Sequence, residues 1–160
     1  MGKLRELIKK GARLNADTVL FKVLSDPAIR SAAVKFIRDD QLFRRGVNAD
    51  DVIIGRYSIA TEKITGGLKK AGDPFNFTDT GVFRRSIRAD AVKGVGLVTS
   101  ADTVKRATDF RDRGLTVDLL DKYGENIIEL TTENTQDLGQ AFILAKLQNQ
   151  IRRELGIQPV

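Results

Sequence analysis

Cysteine is absent from the 160-residue chain, so neither disulfides nor thiolate metal sites hold it together. Histidine is absent too, which removes the commonest acid–base group near neutral pH and the commonest transition-metal ligand. A Ser-His-Asp or Cys-His site therefore cannot be built from this chain alone. Carboxylates remain, as Asp39-Asp40 and Asp50-Asp51, but neighbours in a helix face different ways, so Asp39-Asp40 reads as one solvated and one interface residue rather than a catalytic pair. Asp109 and Asp112 lie one turn apart among Lys105, Arg106, Arg111 and Arg113 and read as ion-paired surface. Gly66-Gly67-Leu68-Lys69 lacks the phosphate-loop pattern. The expectation is a protein that is not an enzyme and takes no cofactor or metal. No stretch approaches the roughly 20 apolar residues that span a bilayer. The basic start, MGKLRELIKKGARL, has no long apolar core after its charges, so a soluble chain without a signal peptide is expected.

What is present is basic. Lys and Arg number 27 against 21 Asp and Glu, a net charge of +6, which favours contact with an acidic surface or nucleic acid. Residues 3–10 place Leu4, Leu7 and Ile8 on one helical face, with Lys3, Arg5, Lys9 and Lys10 around the rest. This reads either as a surface helix or as an arm that grips a neighbour or a phosphate backbone. Asp26 suits a helix N-cap and Pro27 the first helical position. Ile29, Ala32, Ala33, Phe36 and Ile37 follow at helical spacing, and Gly46 is a natural C′ residue after Arg44-Arg45.

From Val47 to Asp79 the periodicity dissolves among glycines, with a possible helical turn or two over Thr61–Lys70. Apolar and aromatic residues nevertheless recur: Val52, Ile53, Ile54, Tyr57, Ile59, Phe75 and Phe77. This composition predicts a long loop arm ordered by its own fold or by a partner chain. The turn Thr78–Gly81 then opens an alternating segment, Val82–Val92, predicted as a strand with Arg84 and Arg88 on one face and Arg85 on the other. Val95–Thr99 is its returning partner. Helices are predicted over Thr103–Phe110 and Leu115–Tyr123, a strand over Asn126–Leu130, and a long final helix over Gln136–Leu155 capped by the polar run 131–135. That helix carries an apolar set of Leu138, Ala141, Phe142, Leu144, Ala145, Leu147 and Ile151, expected to cover one face of the sheet. The fold class is α+β: a small antiparallel sheet of three to four strands against N-terminal and C-terminal helices. One domain spans 1–160, with a helical part (1–46), the loop arm (47–79) and a sheet-plus-helix part (80–160).

The order of pieces resembles the tail-completion or head–tail connector (neck ring) proteins of tailed bacteriophages, in their Bacteroidetes-phage variant. Asp79, Thr80, Gly81, Phe83, Ser86 and Ile87 match the D-T-G-x-L-x-x-S-[IF] signature of that family, with Phe83 replacing the usual Leu. Gln41-Leu42-Phe43, Gly46-Val47, Ile54-Gly55-Arg56-Tyr57-Ser58 and Thr61 are similar to its Q-L-x-x-G…I-G-x-Y-S-x-x-T pattern. A looser match runs from Tyr123-Gly124 to Leu130-Thr131, so the resemblance covers residues 41–135. It implies a structural virion protein, assembled in the infected bacterial cytoplasm. It further implies a ring of the portal's symmetry, a dodecamer, in contact with portal or adjacent neck and tail proteins and not with a membrane. The loop-arm residues Ile53, Ile54, Tyr57, Phe75 and Phe77 would then meet a neighbouring subunit. Lys9, Lys10, Arg84 and Arg88 are candidates for contact with an acidic partner or packaged DNA, the last two equally readable as solvated. The competing reading is a small basic nucleic-acid-binding protein, although no helix-turn-helix or base-stacking signature is present.

Overall fold

A computed structural model describes residues 2–78, 81–106 and 116–158. In chain order the elements are α1 (Lys3–Gly11), α2 (Ala16–Leu24) and α3 (Pro27–Lys35), which runs on as a π-helical segment, Phe36–Arg45. There follow α4 (Ile59–Ile64), α5 (Val82–Ser86), β1 (Arg88–Val92), β2 (Gly96–Ser100), β3 (Val104–Arg106), β4 (Thr116–Asp118) and α6 (Leu119–Tyr123). A 3-10 turn (Glu125–Ile128) leads into α7 (Thr132–Leu138), a second π-helical stretch (Gly139–Ile143) and α8 (Leu144–Leu155). The protein is α+β with a long C-terminal helix. Among the described residues four strands pair two and two, β1 with β2 and β3 with β4. In the second pair Val104 lies opposite Asp118 and Arg106 opposite Thr116.

The chain divides into two compact units. The first comprises Met1–Ala33, Ala89–Val98 and Thr135–Val160. Its helices start where short-range chemistry says they should. Asn15 caps α2 by accepting from Thr18 N at 2.8 Å, and Asp26 accepts from Ala28 N at 2.8 Å, with Pro27 next in line. Val19, Val23 and Leu24 of α2 and Ile29, Ala32 and Ala33 of α3 are buried. α8 packs against both α1 and α2. Two ion pairs bind its ends: Lys22 to Glu154 at 2.6 Å, and Lys146 to Asp26.

The hydrogen bond from Lys146 is the main reason the Asp26 carboxyl sits below its ordinary range, and Lys22 does the same for Glu154. A depressed folded-state pKa means these carboxylates stabilise the fold above their unfolded values near 4. That contribution is lost as pH falls through the lower folded values. The melting temperature is accordingly expected to fall between about pH 5 and about pH 2, and Lys146→Ala with Lys22→Ala to flatten that profile. Thermal melts across the range measure this; an unchanged slope in the double variant would show that these pairs are too well solvated to matter.

The second unit, Val34–Arg88 with Thr99–Asn134, has its own core: Ile37, Leu42, Phe83, Ile87, Leu119, Ile127 and Ile128. Beside it runs an unbroken row of aromatic rings. Tyr57 meets Phe75 at 5.0 Å, Phe75 meets Tyr123 at 6.0 Å, Tyr123 meets Phe77 at 5.6 Å and Phe77 meets Phe83 at 5.4 Å. Tilted and edge-on geometries of this kind are worth about 0.5–1.5 kcal/mol each beyond area burial. The irregular segment after Gly46 is thus ordered by its own fold. Bridges Val47–Ile53 and Arg56–Pro74 close it, and its Tyr57, Phe75 and Phe77 supply three of the five rings in the row.

Several predicted elements are corrected. Val82–Ser86 is a helical turn rather than the start of the strand, which begins at Arg88. Phe83 and Ile87 lie four apart, a spacing that fits one helix face as well as a strand, and both enter the core. Arg84 and Arg88 therefore do not share a strand face. The predicted helix from Thr103 opens instead as β3, because Val104–Arg106 finds Thr116–Asp118 to pair with; residues 107–110 lie outside the described residues. The helix expected from Leu115 begins only at Leu119, since Asp118 caps it by accepting from Leu120 N at 2.9 Å. Asn126–Leu130 is no strand. Ile127 and Ile128 are both buried, and adjacent strand residues would point to opposite faces, whereas the 3-10 turn after Gly124 turns both inward. The last helix starts earlier than Gln136, where Thr131 accepts from Asn134 N at 3.1 Å.

Candidate functional site

The clearest surface feature of the second unit is a tip of large apolar side chains held out in water. Ile64 is 85% exposed and Leu68 88%, with Ile59 at 66%. In α4 the outward arc is Ile59, Ala60, Lys63 and Ile64, while Thr61 and Glu62 turn inward. Exposed aliphatic residues are common singly. What distinguishes these is the structure built to hold them.

That support is the segment Ile54–Thr61. Gly55 has no Cβ because the Phe75 ring lies against its backbone: a Cβ there would stand 2.3 Å from a ring carbon. Tyr57 N donates to Asp73 O at 3.0 Å and Tyr57 O accepts from Gly72 N at 2.9 Å, clamping the two ends of the loop together. The Tyr57 hydroxyl donates to Asn76 Oδ1 at 2.8 Å and accepts from Asn76 N at 3.2 Å. Ser58 caps α4 by accepting from Thr61 N at 3.2 Å. Glu62 reaches across the loop and accepts from Ala71 N at 3.0 Å. Arg56 donates to Gly72 O at 2.6 Å, and the Lys69 ammonium sits 5.4 Å from the Tyr57 ring centroid. Tyr57, Thr61 and Glu62 thus turn inward, while Ile59, Ile64 and Leu68 face out. Gly66 and Gly67, with φ of 62° and 82°, make the turn between Ile64 and Leu68 in a conformation that disfavours other residues.

A second exposed apolar pair sits on the preceding turn. Val52 is 58% and Ile53 40% exposed. Asn48 builds this turn, its Oδ1 accepting from Asp50 N at 3.1 Å and Val52 N at 3.0 Å. Asp51 adopts a left-handed backbone, φ 60°, and its carboxylate accepts from Arg45 at 2.8 Å.

The remaining predicted site residues are dispersed. Ile54, Tyr57, Phe75 and Phe77 are half-buried within their own unit; Ile54 and Phe77 pack on its core. Asp79 and Thr80 of the signature turn lie outside the described residues, as do Asp109 and Asp112. Gly81 has φ 73° and accepts from Arg85 N at 3.0 Å; Phe83 is buried. Ser86 Oγ donates to Phe83 O at 2.8 Å and accepts from Asp102 N at 2.7 Å, so it closes the helical turn and ties it to the segment just before β3. The Arg84 guanidinium lies 4.5 Å from the Phe43 ring centroid and 3.4 Å from Asp39, while Arg88 is exposed at the start of β1. Arg38, at 2.7 Å, is the main cause that holds the Asp39 carboxyl below its usual range. Asp40 is occupied by Arg44 and Arg45. Lys9 and Lys10 are exposed on α1, a helix without a buried residue.

Among the described residues no group of three or more acidic side chains is arranged to hold a metal ion, and no helix is long and apolar enough to cross a membrane. The sequence does not mark Ile64 and Leu68, because one Ile and one Leu beside glycines carry no periodic signal. Comparison of the chain with family models, with curated proteins and with solved structures finds no match.

Proposed function

We propose that this chain is a structural, non-catalytic subunit of a tailed-bacteriophage virion, forming a ring in the neck that joins portal and head to tail and helps complete the DNA channel. The observation that carries the assembly part is the braced tip. A loop that spends its internal hydrogen bonds on holding Ile59, Ile64 and Leu68 in water is pre-organised for a partner, because the ordering entropy is already met before contact. The virion part rests on the resemblance over residues 41–135, and the tip gives that resemblance a physical content. Gly55, Tyr57, Ser58 and Thr61 of the I-G-x-Y-S-x-x-T pattern are the groups that build the support. In this reading the ring follows the portal's symmetry, a dodecamer, and contacts portal or adjacent tail proteins and packaged DNA.

Light scattering across a concentration series tests it. The wild-type chain is expected to grow in mass with concentration, and Ile64→Ser with Leu68→Ser to remain small while melting within about 0.5 kcal/mol of wild type, as exposed substitutions do. A wild-type chain that stays monomeric throughout overturns the assembly reading. The nucleic-acid-binding alternative has one specific observation behind it, the exposed basic helix α1 with Lys3, Arg5, Lys9 and Lys10. It requires DNA affinity that falls steeply with salt through counterion release, and that is lost with α1 rather than with the tip.

A further inference from the structure

We infer that the tip docks on the Val52–Ile53 turn of a second copy of this chain, so that one unit carries both halves of a head-to-tail contact. The inference rests on the assembly reading and names its two faces. The charges around the two exposed apolar surfaces are opposite in sign. The tip is flanked by Lys63 and Lys70, both exposed; Glu62 is turned inward onto Ala71 N, and the exposed Asp73 lies at the base of the loop beside Tyr57. The turn is flanked by Asp50 and Asp51, both exposed, and by Glu125 from the 3-10 turn beside it. Ala49 N donates to Asn126 O at 3.0 Å and Asn126 Nδ2 to Asp50 at 2.7 Å, which brings Glu125 alongside.

Each surface is thus an aliphatic centre with a charged rim, the anatomy of a specific protein contact. Neither fits itself: two tips would set lysine against lysine, and two turns carboxylate against carboxylate. Tip on turn satisfies both rims and covers five large aliphatic side chains. Because the two surfaces differ, the contact is heterologous and propagates, closing into a ring where the rotation per subunit allows.

Charge reversal on the two sides tests the pairing. One variant, Lys63→Glu with Lys70→Glu, has an acidic tip and an acidic turn. The other, Asp50→Lys with Glu125→Lys, has a basic turn and a basic tip. Sedimentation velocity is expected to find each alone associating about tenfold or more weakly than wild type, since like charges now face each other. Mixed in equal amounts they are expected to recover mass growth to within about threefold, because every tip then finds a turn of opposite sign. The mixture also controls for folding, as a misfolded variant does not rescue its complement. If wild type assembles and both variants assemble equally well, the pairing is overturned while the ring survives. If both variants melt as wild type does and are weakened, but their mixture stays weak, the pairing is likewise overturned. A wild-type chain that never associates overturns the ring reading itself.

Discussion

Replacing Gln41 by alanine is expected to remove about 3–5 kcal/mol of stability, a large part of the roughly 5–15 kcal/mol that holds a domain of this size. Gln41 has no exposed surface. Its Nε2 donates to Glu129 O at 2.8 Å, and its Oε1 accepts from Thr131 N at 3.0 Å and from Asn134 Nδ2 at 2.9 Å. Thr131 and Asn134 are themselves 2% and 3% exposed. Thr131 N and Glu129 O would lose this partner at about 1–3 kcal/mol each, partly relieved by local shifts, while Asn134 Nδ2 keeps Asp40 at 3.3 Å. Gln41→Leu fills the volume and should still lose most of that stability, which separates hydrogen bonding from cavity formation. Urea unfolding measures both. A loss under about 1 kcal/mol in the leucine variant would mean that the network contributes geometry and little energy.

Gly46→Ala should cost about 2–4 kcal/mol, far more than alanine costs on most glycines. Gly46 closes the long helix in a left-handed conformation, φ 63°, its N–H donating to Gln41 O and its carbonyl accepting from Ile54 N at 2.9 Å. The conformation alone penalises a side chain by about 1–2 kcal/mol. A Cβ would also stand 2.5 Å from Pro74 Cβ and 2.7 Å from the Phe75 carbonyl oxygen, so backbone must move. That movement would reach Phe75 and, through the aromatic row, the support of the tip. The variant is therefore expected to lose both melting temperature and assembly, unlike the tip variants, which lose assembly alone. Equal melting of Gly46→Ala and Gly66→Ala, where a Cβ meets nothing within 4 Å, would refute the steric part.

The elements whose local pattern and final structure differ share one cause. Phe83 and Ile87 satisfy helix and strand spacing alike, and burial of both beside Phe77 and Ile37 chose the helical turn. Val104–Arg106 became a strand because a partner strand more than ten residues on was available, something no local propensity contains. Ile127-Ile128 looked like strand by composition, and a core that receives both side chains overrode it. In each case the local signal was degenerate and a long-range contact broke the tie.

What the sequence by itself determined were the events completed within a few residues. Asn15, Asp26, Ser58, Asp118 and Thr131 cap helices at positions their own hydroxyl, amide or carboxylate reaches, and Gly46 ends one where only a residue lacking Cβ fits. Absence of cysteine and histidine likewise removed whole classes of chemistry without reference to any fold. Which apolar residues remain in water was decided only by the tertiary structure. Ile64 and Leu68 are chemically the same residues as Ile37 and Leu42, yet the first pair is almost wholly exposed and the second wholly buried. Burial is a sum over elements far apart in the chain, and the tip stays outside because Tyr57, Glu62 and Asn76 close the loop beneath it.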